Sequence, residues 1–235
     1  MATVNVFCAG AAQAVLTQIA EKFERDSNHK VNAQFGAVGA MKERVVAGEP
    51  ADVIVLTGAL IDELSQQGLV AEGSRVDLGK VGTGVAVRAG TPMPDITNND
   101  VFRGNLLAAK RILCPDPAVA TAGKVVLSAL DKLGIADKVK SHLKFFPNGY
   151  AAMNALAESS GLLEMGITQI TEIVANEGVT LVGPLPAELQ SIAIYSVGVA
   201  AASTEREAAD EFIRRLTGFN AQTILSAAGF EIGQI

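Results

Sequence analysis

Apolar residues along this chain follow two alternating rhythms. Short runs rich in β-branched residues, "TVNVFCA" at 3–9, "KVNAQFG" at 30–36 and "ADVIVLT" at 51–57, have the length of strands. Between them lie stretches with helical spacing. "AAQAVLTQIAEKFERDS" places Val15, Ile19 and Phe23 on one face, "AMKERVVAG" predicts a short helix, and "ALIDELSQQGLV" predicts another that stops near Gly68. A βαβαβ series of this kind implies a parallel sheet with helices on its faces.

The rhythm breaks at "VGTGVAVRAGTPMPDI", read as a strand followed by a Gly/Pro-rich segment, and then restarts. "AKRILCP", a helix from Gly123, "LKFFP", a helix from Tyr150 and "EMGIT" form a second series. "VTLVGPLPAELQ" reads as a proline-rich loop, "SIAIYSVGVAA" as a long strand, and "EREAADEFIRRL" and "AQTILSAAG" as closing helices. The fold class expected is α/β, with two lobes joined by strand crossings near 82–90 and 190–197 and a ligand cleft between them. Residues 1–85 and 196–235 form the first lobe and 86–195 the second. No sequence repeat is visible.

Composition narrows the function. Residues are 49% hydrophobic and 19% charged, an ordinary globular balance, and the net charge of −6 argues against nucleic acid. No apolar run approaches the roughly 20 residues that span a bilayer, so no membrane insertion is expected. The chain enters a strand at once, without a signal peptide. Either the protein is cytoplasmic, or a periplasmic protein has had its signal removed. Cys8 and Cys114 end apolar strands and read as buried free thiols. With His29 in a turn, His142 after a helix and no other histidine, neither a metal site, a cofactor nor a Ser-His-Asp triad is expected.

Candidate chemistry sits where open parallel sheets bind ligands, beyond the carboxyl ends of strands. Those ends carry Cys8-Ala9-Gly10-Ala11, the loop Gly36-Ala37-Val38-Gly39-Ala40, Thr57-Gly58, residues 119–123 with Asn148-Gly149-Tyr150, and Thr168-Gln169. Most are built of glycine and alanine and open a helix, so that an oxyanion can approach free backbone N–H groups. Gly10, Ala11, Val38, Gly39, Ala40, Thr121, Ala122 and Gly123 are the expected backbone contacts. Tyr150 and Gln169 are the best side-chain donors, and Lys42, with Lys124 and Arg88 behind it, is the cation placed to pair a carboxylate. Glu172, one helical turn after Gln169, reads as a dipole partner or a base.

"VNVFCAGA", "FGAVGAMKERVVAGEPADVIVLT" and "CPDPAVATAGKVVLSALDKLGI" resemble the periplasmic molybdate-binding protein family of ABC transporters, with "AGEPADV" at 47–53 the best-kept motif. The resemblance runs from Val4 to Gly229. It implies a periplasmic binding protein of the second topological type that closes on a small anionic ligand by hinge motion and hands it to a membrane permease. A monomer is expected. Where molybdate binders of the family present serines, this chain has Ala11 and Ala37-Val38-Gly39, and where they present a tyrosine it has Gln169. A dehydrated tetrahedral oxyanion loses three hydroxyl partners, so a di- or tricarboxylate is expected rather than molybdate. "GITQITEI" and "LVGPLPAELQ" resemble a divergent branch that also looks similar to aconitate isomerase. That implies a second function, proton transfer between cis- and trans-aconitate, with Tyr150 or Glu172 as the base.

Overall fold

The computed structural model describes residues 1–233. The chain divides into two compact units, residues 1–81 with the segment from Ala193 onward, and Gly82–Ile192.

In the first unit the expected series forms β1 (Thr3–Ala9), α1 (Gln13–Asp26), β2 (Lys30–Gly36), α2 (Val38–Val46), β3 (Val53–Thr57) and α3 (Gly58–Gln66), and β4 (Val76–Val81) follows. In the second unit come β5 (Thr83–Arg88), α4 (Asn99–Ala108), β6 (Arg111–Pro115), α5 (Thr121–Lys132), α6 (Ala136–Val139), β7 (Leu143–Phe146), α7 (Gly149–Ala157), β8 (Glu164–Gln169), α8 (Ile170–Val174) and β9 (Val179–Pro184). The chain then returns to the first unit as β10 (Ala193–Val199), α9 (Arg206–Thr217) and α10 (Phe219–Ala227).

The two sheets repeat one plan. Their strand orders are β2-β1-β3-β10-β4 and β7-β6-β8-β5-β9. In each, three strands run parallel, and the fourth, entering from the other unit's stretch of chain, is antiparallel to both neighbours. The sequence reading set the boundaries at 85/86 and 195/196. β5 lies wholly in the second sheet from Thr83 and β10 wholly in the first from Ala193, so the chain crosses at 81/82 and 192/193.

Burial explains the elements. β3 is central and apolar over "VIVL", as a strand covered on both faces must be, whereas edge strand β2 alternates between exposed and half-buried positions until Gly36. Val15, Leu16, Ile19 and Phe23 form the buried stripe of α1, which packs with Phe7 and Phe212. The second sheet has a core on each face. Val85, Cys114 and Ile167 join Val125 and Val126 of α5 on one side, while Ala86 and Leu113 join Met153 and Leu156 of α7 on the other.

Two elements differ from the sequence expectation. "VTLVGPLPAELQ" is not all loop: its first half is β9, an edge strand that ends at Pro184 and pairs irregularly with β5 near Val85. Proline is tolerated there because an edge strand has an unpaired side. The segment after β5 also contains α4, in which the Asn98 side chain accepts from Val101 N at 3.0 Å and Phe102 and Leu106 are buried one turn apart.

Candidate functional site

In each unit the helices begin where the parallel strands end. In the first, Gly10 and Ala11 lie buried in a single 3-10 turn after β1, and Val38, Gly39 and Ala40 form the half-buried first turn of α2. β1 and β2 are neighbours with Ala9 opposite Gly36, so these two turns share one sheet edge. In the second unit, Thr121, Ala122 and Gly123 open α5, Tyr150 is the second residue of α7, and Gln169 precedes α8 with Glu172 in its first turn.

These helix starts differ in whether their N–H groups are already answered. α2 follows Ala37 and α5 follows Ala120, neither of which has a capping side chain. The first-turn donors of both helices therefore remain available, with the positive end of the helix dipole behind them. α7 is closed: Asn148 Oδ1 accepts from Ala151 N at 2.9 Å, and Glu172 accepts from the N–H of Gly149.

Glu172 is the most perturbed carboxylic acid among the described residues of the second unit. The residue is 5% exposed, and its carboxylate accepts from Thr168 Oγ1 at 2.5 Å and from the N–H groups of Gln169 and Gly149. Burial pushes it up to about 7, against those three hydrogen bonds, which pull it down. It lies so close to α7 that a Cβ on Gly149 would overlap both the carboxylate and the Thr168 hydroxyl. Here the glycine admits a side chain of the same unit. Gly123 answers to packing too, since a Cβ there would overlap the carbonyl oxygen of Pro115 and press on Pro117.

The side chains of the first unit are largely engaged. Lys42 Nζ pairs with Glu63 at 2.7 Å. Arg75, which sequence reasoning missed, lies over Gly58 at the start of α3 and bonds Asp62 at 2.6 Å and Asp77 at 2.8 Å, while Ser196 donates to Asp77. Its spacing in "SRVD" gives no sign of that network, which requires β10 to arrive beside β4. Gln169 is in the opposite condition. It is 3% exposed at the end of β8, and neither its Oε1 nor its Nε2 has a hydrogen-bond partner among the described residues.

The "AGEPADV" motif lies at the other edge of the first sheet, beside a cavity of about 460 Å³ lined by Asn5, Glu49, Asp52 and Ala200 among others. Asp52 is 4% exposed and accepts from Asn5 N at 2.8 Å and Ser203 Oγ at 2.7 Å. It ties β1 to the turn after β10, so the motif is a structural clasp. Cys8 and Cys114 are free and buried. Burial raises both thiols, Cys114 to about 12 with the Asp116 charge adding to the effect.

Paired α/β units of one strand order, with helices starting at the carboxyl edge of each sheet, define the periplasmic binding protein fold. The Azotobacter vinelandii periplasmic molybdate-binding protein shares it at a TM-score of 0.81, with 98% of this chain and all of that one covered at 23% identity. Residues 4–231 match the bacterial extracellular solute-binding protein family, and the chain belongs to that family. Among its relatives, an aconitate isomerase from a Pseudomonas species is 28% identical over 97% of this chain and 87% of that protein. The molybdate-binding protein ModA of Haemophilus influenzae is 27% identical over 97% of this chain and 90% of its own. The chain is thus a solute-binding protein by family, which implies a small ligand. The family's extracellular character points to the periplasm, and no described helix is long and apolar enough to cross a membrane.

Proposed function

We propose that this protein is a monomeric receptor that captures a small di- or tricarboxylate rather than molybdate. The observation that carries this reading is the contrast between the open helix starts and the side chains beside them. α2 and α5 offer uncapped N–H donors, yet Ala11 and Gly39 bring no hydroxyl to complete the shell of a bare tetrahedral oxyanion. A carboxylate needs fewer donors per charge and suits a helix start directly. The test is thermal unfolding against molybdate, tungstate, sulfate, succinate and tricarballylate, since a ligand that binds only the folded state raises the midpoint. A rise with the carboxylates and none with molybdate or tungstate supports the proposal. A rise with molybdate alone overturns it.

A second reading, an isomerase acting on aconitate, rests on Glu172. An acid near 7 is poised to exchange protons at neutral pH, and one relative is an aconitate isomerase. In this reading Glu172 or Tyr150 removes a proton beside one carboxylate of trans-aconitate, and a proton returns at the far end of the allylic system. Incubation in heavy water then yields deuterated cis-aconitate. Binding without deuterium uptake rules out the isomerase and leaves the receptor.

A further inference from the structure

At the carboxyl edge of the second unit, two buried polar side chains stand together without partners. Thr83, the first residue of β5, lies directly opposite Gln169, the last of β8, in the antiparallel ladder. Residues so opposed share a sheet face, with Cβ atoms about 4.5–5.5 Å apart. That face is the one that carries α5, because Val85 and Ile167, two positions along the same strands, pack with Val125 and Val126. Thr83 is 0% exposed and Gln169 3%, yet Thr83 Oγ1 and both amide atoms of Gln169 have no hydrogen-bond partner among the described residues.

The backbone of Thr83 is fixed. Gln190 clamps it, with Thr83 N donating to Oε1 at 2.9 Å and Nε2 donating to Thr83 O at 2.8 Å. Its hydroxyl is thus held in place while its bonding capacity stays open. Unanswered buried polar groups destabilise a fold, and their accumulation at a ligand-binding edge points to use in binding.

Their chemistry is neutral and two-sided. Gln169 Nε2 donates, Oε1 accepts, and Thr83 Oγ1 does both. A carboxylate oxygen only accepts, so it would satisfy the donors while setting its charge against Oε1. An alcohol donates and accepts at one atom.

We propose that Thr83 is a ligand-contacting residue and that Thr83 and Gln169 together recognise an alcohol hydroxyl, which makes the solute a hydroxycarboxylate. Its carboxylate takes the free N–H groups of residues 121–123, which open α5 on the same face of the sheet. This rests on the carboxylate reading above and narrows it.

Calorimetric titration tests it with two matched pairs, citrate against tricarballylate and malate against succinate, each differing by one hydroxyl. In the unaltered protein the hydroxylated member of at least one pair binds at least about tenfold tighter. Thr83→Val, which keeps the shape and removes the hydroxyl, abolishes that preference by weakening only the hydroxylated ligand. It leaves the unfolding temperature unchanged or raised, and Thr83→Ser keeps the preference. If Thr83→Val leaves the ratio within each pair unchanged, or if the unaltered protein has no preference, this inference fails and the carboxylate reading stands. If none of the four binds, both fail.

Discussion

Replacing Glu172 with glutamine tests the physical account of the second unit. The carboxylate is buried and its acidity is shifted to about 7, whereas an unfolded glutamate titrates near 4.3. Between those values the folded protein holds a proton that the unfolded chain has released. The contribution to stability is therefore full below about pH 4.3 and is lost as the pH rises through about 7. Linkage between those two values makes the loss from about pH 5 to about pH 8 roughly 2–3 kcal/mol. Glutamine imitates the protonated acid: its oxygen still accepts from a backbone N–H and its amide can donate to Thr168. Urea unfolding of both proteins at the two pH values measures the difference. Glu172→Gln is expected to be more stable than the parent by about 1 kcal/mol at the lower pH, and its advantage should grow by roughly 2–3 kcal/mol at the higher. Parallel pH dependence in the two proteins would refute the claim that a buried ionisation opposes folding there.

Other substitutions address neighbouring claims. Gly123→Ala forces a methyl group into the Pro115 carbonyl, and chemical denaturation should show a loss of about 1–3 kcal/mol or more, since backbone must move to relieve it. Glu63→Gln releases Lys42 from its ion pair and should tighten carboxylate binding, whereas Lys42→Ala should weaken it about tenfold or more, the scale of a charge-assisted hydrogen bond. Unchanged calorimetric affinities in both variants would assign Lys42 to the ion pair alone.

What the sequence disclosed depended on whether the signal was local. Strands such as "VIVLT" and the stripe of α1 declared themselves through periodicity, because each buries its own apolar residues. β9 and α4 did not, since Gly183, Pro184 and Pro186 made the first read as part of a loop and the second follows a Gly/Pro-rich segment. The small residues at helix starts were visible, but their roles were not. Gly149 and Gly123 are small for contacts with Glu172 and Pro115, 23 and 8 positions away in sequence, which no local pattern contains. Thr83 was invisible for the same reason, because its importance comes from facing Gln169 across a ladder between strands 86 residues apart.

The central claim is that the open helix starts hold carboxylates. Calorimetric titration of one preparation with citrate, tricarballylate and molybdate tests it most directly. The account predicts a saturable isotherm with at least one of the two tricarboxylates, and for molybdate an affinity at least about a hundredfold weaker, a gap of roughly 2.7 kcal/mol. Submicromolar binding of molybdate with no heat from either tricarboxylate would contradict it.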